Sequence, residues 1–254
     1  MSVDFDLAGK PILVTGATSG LGRAFAKALT AQGAHVIGTG RRQARLEALQ
    51  SDLSDTPGRF SGLSFDVTDL DAMRKAVADA WEMTDGALWG LVNNSGVSTT
   101  SQIHETSESD YDFVMDTNVK AAFFLTSEVG KRMISRGGPG RVVNIASIAA
   151  FKTLSLNGTY CISKAAVAHM TKCFAREWSR HEVNVNAICP GFIETEMNAQ
   201  FFAEPAGQKF MSKFPRRRVG EETDLNELLL YLLSPASKFV NGSTIVADDA
   251  QVLG

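Results

Sequence analysis

Short aliphatic runs alternate along this chain with longer segments whose apolar residues recur at helical spacing. Pro11–Thr15, Ala34–Thr39, Leu63–Asp66, Leu88–Asn93, Arg141–Ser147, Val183–Cys189 and Ser243–Ala247 read as strands. Leu21–Gln32, Gln43–Leu53, Leu70–Met83, a long bent helix within Asp110–Arg136, Gly158–Arg180 and Glu222–Leu233 read as helices. The core strand runs are rich in Val, Ile and Leu without polar alternation, the pattern of strands covered on both faces. Strand–helix alternation then gives an α/β fold: a doubly wound parallel sheet in three layers, with right-handed crossovers. No repeat, linker or low-complexity tract divides residues 1–254, so one domain is expected. Met197–Arg218 interrupts the rhythm and is expected to be an insertion that covers the substrate.

Charge and cysteine usage narrow the function classes. A formal net charge of −3 gives no electrostatic case for nucleic acid or an anionic membrane surface. Cys161, Cys173 and Cys189 form no CxxC pair, and the four histidines have no metal-ligand spacing, so neither disulfides nor a metal site is expected. A reducing compartment, the cytoplasm, fits this usage. No basic n-region precedes an apolar stretch at the N-terminus, and no apolar run reaches the roughly 18 residues of a membrane span.

The chemistry-bearing residues fall after strands. Thr15-Gly16-Ala17-Thr18-Ser19-Gly20-Leu21-Gly22 joins the first strand to the first helix. Glycines there permit positive φ and close backbone approach, and the helix N-terminus offers free N–H groups to a pyrophosphate. The spacing is Gly-x3-Gly-x-Gly, which differs from the Gly-x-Gly-x2-Gly dinucleotide fingerprint. The second strand ends in Thr39-Gly40-Arg41-Arg42, without the acid that selects NAD through its ribose. Two arginines at the start of a helix oppose its dipole unless an anion is near, and a 2′-phosphate is such an anion. Asp66-Val67 closes the third strand, as a cap or facing an adenine amine. Asn93-Asn94-Ser95-Gly96 closes the fourth, as a polar turn or as part of the same cleft.

Ser147 ends the fifth strand, and Tyr160-x3-Lys164 opens the following helix. Four-residue spacing places tyrosine and lysine on one helix face. A phenol is a poor acid–base group at neutral pH, and a nearby ammonium is expected to lower its pKa. Ser147 is placed to hydrogen-bond a substrate oxygen. Pro190-Gly191 follows the sixth strand. In an open α/β sheet, ligands bind beyond the carboxyl ends of the strands, so all these residues should line one edge.

Taken in order, TGATSGLG (Thr15–Gly22), NNSG (Asn93–Gly96), Asn118, Ser147, Tyr160–Lys164 and PGFIET (Pro190–Thr195) resemble the short-chain dehydrogenase/reductase family in its compact, single-domain branch. The resemblance implies a Rossmann-like seven-stranded parallel sheet binding a nicotinamide cofactor. It implies Tyr160 as general acid in reduction and base in oxidation, Lys164 on the nicotinamide ribose, and Ser147 on the carbonyl. It further implies Asn118 ordering a proton-relay water, Ile193 and Thr195 holding the carboxamide, and Arg41 favouring NADP(H) over NAD(H). A homotetramer or homodimer built through the two long helices is the family's usual assembly. This sequence departs from the family with Ser95 inside NNSG, with Gly40, and with Asp248-Asp249-Ala250 where Asp-Gly-Gly is common.

The expected function is therefore NADP(H)-dependent interconversion of a small-molecule ketone and secondary alcohol. Phe201, Phe202, Phe210, Met211 and Phe214 in the insertion point to an apolar or aromatic carbonyl, or else to a helix packing on the body. A 3-oxoacyl-thioester reductase and a non-catalytic dinucleotide sensor are the alternatives. Arg216–Arg218 is expected to be a solvated face.

Overall fold

A computed structural model describes residues 3–196 and 198–253. Among these residues seven strands form one all-parallel sheet in the order β3-β2-β1-β4-β5-β6-β7. The strands are β1 (Pro11–Val14), β2 (His35–Gly40), β3 (Arg59–Ser64), β4 (Gly90–Asn93), β5 (Gly140–Ile145), β6 (Val183–Pro190) and β7 (Thr244–Ala247). Every residue of β4, β5 and β6 is buried, which explains their lack of alternation.

Helices α1 (Gly20–Ala31), α2 (Gln43–Asp52) and α9 (Asn226–Leu233) cover one face of the sheet. Phe25, Leu29, Leu46, Leu229 and Leu233 pack there against Ile12, Val14 and Val143. Helices α3 (Leu70–Glu82), α5 (Ala121–Arg136) and α6 (Gly158–Trp178) cover the other. Met73, Leu125, Val129, Val167 and Phe174 pack there with Leu13, Leu91 and Val185. Strand order reverses between β1 and β4, so the crevice beyond their carboxyl ends is the natural ligand site.

Several element bounds differ from the sequence expectation. β3 begins at Arg59 and ends at Ser64, not Leu63–Asp66. It is an edge strand whose polar and glycine residues hide it from a search for apolar runs; a Cβ on Gly62 would lie 2.9 Å from Leu46 Cβ. The expected long bent helix is α4 (Glu108–Met115), capped by Ser107, then a π-helical turn Asp116–Lys120, then α5. The last helix starts at Asn226 rather than Glu222, the preceding residues being turns. The insertion holds two short helices, α7 (Ala199–Ala203) and α8 (Pro205–Met211), divided where Pro205 cannot continue a helix. Met197, its expected first residue, lies outside the described residues. No described helix is long and apolar enough to cross a membrane.

Candidate active site

The turn after β1 is shaped as a cradle. Gly16 and Gly20 adopt φ of +65° and +53°, which favours glycine. A Cβ on Gly22 would fall 2.2 Å from the Gly16 carbonyl oxygen, so only glycine lets the turn close onto the helix. Ser19 is the N-cap of α1 but makes no side-chain cap bond, and the first turn contains no acid. The first N–H groups of α1 thus retain their capacity for an anion. Thr18 packs beside Gly40, where a Cβ would lie 3.0 Å from Thr18 Cγ2, and Leu21 packs into the core below. These features fit a dinucleotide pyrophosphate.

Beside it runs the NNSG segment. Thr15 Oγ1 accepts from the Asn94 N–H at 2.9 Å and the Ser95 N–H at 3.0 Å, while Asn94 Nδ2 donates to the Thr15 carbonyl. Thr15 and Asn94 therefore tie the two motifs together, a role their positions in sequence do not reveal. Asn93, expected to contact cofactor, instead sends its side chain into the core. Its Nδ2 donates to Thr126 Oγ1 and Asn144 Oδ1, because alternation along β4 turns it away from the crevice mouth.

The structure brings Asn118, Ser147, Tyr160 and Lys164 together. Ser147 leads a short 3₁₀ turn, its Oγ accepting from the Ala149 N–H, and its hydroxyl hydrogen-bonds the Tyr160 phenol. Lys164, 5% exposed, donates from Nζ to the Ile145 carbonyl at 2.9 Å and lies 5.7 Å from the centre of the Tyr160 ring. A Cβ on Gly96 would lie 3.3 Å from Lys164 Nζ and 3.4 Å from Asn118 Oδ1, so that glycine keeps all three in contact. Asn118 stands on the π-helical turn, a feature frequent at functional sites. Its Oδ1 accepts from the Val97 N–H; its Nδ2 donates to the Val97 carbonyl and to Ser163 Oγ. Ser163 Oγ in turn donates to the Tyr160 carbonyl at 2.7 Å. Ser163, an unspecified position of Tyr160-x3-Lys164 in the sequence, is fully buried.

Electrostatics differ from the expectation for the phenol. Burial raises the Tyr160 pKa, and the Ser147 hydrogen bond only partly offsets that. Lys164, whose Nζ donates to the Ile145 carbonyl, is not among the groups that shift it. Burial also pulls Lys164 itself down to about 8. A third buried group, unforeseen, is Cys189 on β6. Burial pushes its thiol up to about 11 against the Ser147 N–H and the Lys164 charge, so it stays a neutral neighbour.

At the far end of the crevice Arg41 Nη1 lies 3.7 Å from Asp66 Oδ2, with its side chain 70% exposed. Arg42 is the N-cap of α2 rather than inside it, and α2 has no acid in its first turn. Asp66 also accepts from the N–H and hydroxyl of Thr68. Burial alone would raise its pKa, but the Thr68 bonds and Arg41 bring it below the usual value. Asp66 is thus both a local cap and the partner of Arg41, and Val67 packs on the core.

The loop after β6 closes the crevice from above. Pro190 pairs with Ala247, and the Gly191 N–H donates to the Ala247 carbonyl. Ile193 bridges to Gly220, and the Thr195 N–H donates to Asn198 Oδ1. A Cβ on Gly20 would lie 3.6 Å from Thr195 Cγ2, so this loop meets the glycine turn. The insertion's rings pack on one another and on Phe192: ring centres are 4.9 Å apart for Phe192–Phe210 and 5.0 Å for Phe210–Phe214. Arg216 and Arg218 are not merely solvated, since both meet Asp249. Among the described residues, no group of three or more His, Cys, Asp or Glu is placed to hold a metal ion.

Residues 10–206 match the family model described as short chain dehydrogenase. The chain belongs to the short-chain dehydrogenase family. Within that family it is 37% identical over 245 residues to the gluconate 5-dehydrogenase of Gluconobacter oxydans (strain 621H), a match covering 96% of this chain and 95% of that protein. It is 33% identical to the L-xylulose reductase of Mesocricetus auratus, covering 97% and 98%. A crystal structure of a candidate 2-deoxy-D-gluconate 3-dehydrogenase from Agrobacterium tumefaciens, with bound NADP, superposes with a TM-score of 0.91 at 35% identity and full coverage of both chains. As a short-chain dehydrogenase the protein is an oxidoreductase, and such relatives act at secondary alcohols and ketones.

Proposed function

We propose that this short-chain dehydrogenase interconverts a ketone and a secondary alcohol with NADP(H). The observation that carries this reading is the convergence of Ser147, Tyr160 and the buried Lys164, whose Nζ lies 5.7 Å from the Tyr160 ring centre, at the same sheet edge as the glycine cradle. The first turn of α1, with Gly16, Thr18, Ser19 and Gly20, would hold the pyrophosphate. Arg41 and Arg42 would take the 2′-phosphate, Asp66 and Val67 the adenine, and Ile193 and Thr195 the carboxamide. When bound, the nicotinamide supplies or accepts the hydride.

The side chains do the rest. Ser147 fixes the substrate oxygen, and Tyr160 donates its proton to that oxygen in reduction or removes it in oxidation. A raised phenol pKa keeps Tyr160 protonated at neutral pH, which suits reduction. Lys164 would bind ribose hydroxyls. A water ordered between Asn118 and Lys164 would return the proton from solvent.

Two substrate classes divide on specific observations. Partly exposed Phe201 at the lid favours an apolar or aromatic carbonyl. Phe210 and Phe214 of the lid are engaged with Phe192, and the Ser/Thr-rich segment 98–101 borders the turn before Tyr160 through the Ser101–Asn157 bridge. That polar rim favours a polyhydroxylated substrate, the kind named for gluconate 5-dehydrogenase and L-xylulose reductase. Oxidation of NADPH and NADH with aryl ketones, ketoses, keto sugar acids and a 3-oxoacyl thioester tests both. Turnover of keto sugars alone overturns the apolar reading, and turnover of none overturns the enzyme.

Tyr111, Phe113, Phe123 and Phe124 are exposed on α4 and α5, and we propose that this face joins copies of the chain.

A further inference from the structure

The lid leaves the body at Phe192–Glu194 and returns at Gly220. These two strands form a closed neck: the Gly220 N–H donates to the Phe192 carbonyl at 2.9 Å, and the Glu194 N–H to the Gly220 carbonyl at 2.8 Å. A Cβ on Gly220 would fall 2.6 Å from Ile193 Cδ1, so a larger residue there would push the Ile193 side chain aside.

The C-terminal turn grips both strands of this neck. On the entry side lies Gln251, 3% exposed. Its Oε1 accepts from the Phe192 N–H at 2.7 Å, and its Nε2 stands 3.5 Å from the Phe192 carbonyl. A Cβ on Gly191 would be 2.6 Å from Gln251 Oε1, so the amide fills the space that glycine leaves. Lys152, from the turn after Ser147, reaches the Gln251 carbonyl at 3.5 Å. On the exit side the Asp249 carboxylate lies 3.2 Å from Arg216 Nε and 2.7 Å from Arg218 Nε. Asp248 braces the turn by accepting from the N–H groups of Ala250 and Val252.

Asp249 and Ala250 adopt φ of +53° and +68°, a region that side chains disfavour. Glycine would fit both positions more easily. What the backbone forfeits at 249, the side chain returns by holding two arginines.

We propose that Gln251 and Asp249 are positioning residues of the catalytic cleft. Gln251 sets the height of loop 191–195 over the nicotinamide site, and Asp249 holds the exit strand of the lid closed. The inference rests on the functional reading above for what that loop and lid contact. A direct role in chemistry is not involved, since neither residue touches Ser147 or Tyr160 in any contact described above.

The test uses the full chain with Gln251→Met, Gln251→Glu and Asp249→Gly. Methionine keeps the volume without the amide, and glutamate still accepts from the Phe192 N–H. NADPH and NADH dissociation constants are read by fluorescence titration, and backbone amide exchange is followed over 191–196 and 214–220. Gln251→Met is expected to weaken dinucleotide binding about fivefold, the scale of one lost hydrogen bond, and to speed exchange over 191–196. Gln251→Glu should return binding to within about twofold. Asp249→Gly should leave the dissociation constant alone, speed exchange over 214–220 and raise the carbonyl KM.

A merely structural role would lower the melting temperature and the folded fraction while leaving affinity and exchange at these segments unchanged, which overturns the proposal. Glutamate no better than methionine overturns the part played by Gln251. Titration and exchange need no turnover. Wild-type protein that binds dinucleotide but reduces no carbonyl therefore sinks the proposed reaction and leaves the clamp measured; binding of neither dinucleotide sinks both.

Discussion

Arg23 Nη1 lies 2.9 Å from Glu196 Oε1, joining the helix of the glycine cradle to the entry of the lid. The same guanidinium is 3.7 Å from Glu222 on the exit side, and Arg45 reaches Glu196 at 3.9 Å. One residue of α1 thus meets the chain on both the entry and the exit side of the lid. These pairs are partly exposed, so their contribution to global stability should be below about 1 kcal/mol and screened by salt. Arg23→Ala is expected to leave the melting temperature within a few degrees while raising proteolysis of residues 199–211. Unchanged cleavage would show that the bridge does not hold the lid.

Tyr160→Phe removes one oxygen and keeps the ring that covers Lys164. Turnover should fall by about 10²–10⁴, the usual worth of a positioned acid–base group, with NADPH affinity unchanged. Ser147→Ala should follow in the same direction, because it removes the hydrogen bond that offsets the burial of the phenol. Persistence of turnover in Tyr160→Phe would remove the catalytic assignment. Dinucleotide binding by a wild type without turnover would favour a sensor.

Arg41 and Arg42 stand at the end of β2 with no carboxylate at position 40, and Asp66 is the acid that meets Arg41. Replacing both arginines by Ala should raise the NADPH dissociation constant at least about tenfold and leave that for NADH nearly unchanged, because only the former carries the 2′-phosphate. Equal losses for both would refute that role. Asp66→Asn should strengthen NADPH binding slightly by freeing Arg41; weakened binding of both dinucleotides would instead mark Asp66 as an adenine contact.

Much of this architecture was legible in the sequence, for identifiable reasons. The buried central strands announce themselves because both faces are apolar, and Ser147, Tyr160 and Lys164 because their spacing fits a strand end and one helix face. What stayed hidden depends on tertiary placement. β3 has an edge position and needs no apolar run. The π-helical turn that carries Asn118 changes no residue type. Asn93 reads like a cleft residue, yet strand alternation turns it into the core. Ser163 occupies an unspecified position inside Tyr160-x3-Lys164 and Gln251 has no motif around it, so only their burial and bonding partners give them meaning.

Phe123 and Phe124 form an edge-on pair at 5.4 Å on α5, each more than one-third exposed. An aromatic pair on a long helix is costly in water, so a second copy should cover it. Phe124→Lys is expected to shift the protein to a smaller species in sedimentation while retaining dinucleotide binding. A monomeric wild type would end that reading.

Lys164 predicts an unusual pH response in stability. In the unfolded chain its ammonium keeps the ordinary value of 10.5, whereas burial brings the folded group to about 8. Between these values the unfolded state binds the additional proton, so unfolding becomes harder as pH rises from about 8 towards 10.5. Below about 8 the cost of burying the charge is present in full. Tyr160 acts in the opposite sense: with its folded pKa above 10, its contribution is lost as pH rises past 10. Cys189, raised from 9.0 to about 11, opposes Lys164 in the same way from pH 9 upward, so the clean window is pH 8 to 9. Urea midpoints measured across it without cofactor should climb for the wild type relative to Lys164→Met, in which no ammonium is buried. Parallel curves for the two proteins would mean that the ammonium is solvated in the folded state, and the tight packing of Lys164 against Gly96 and Ile145 would have to be abandoned.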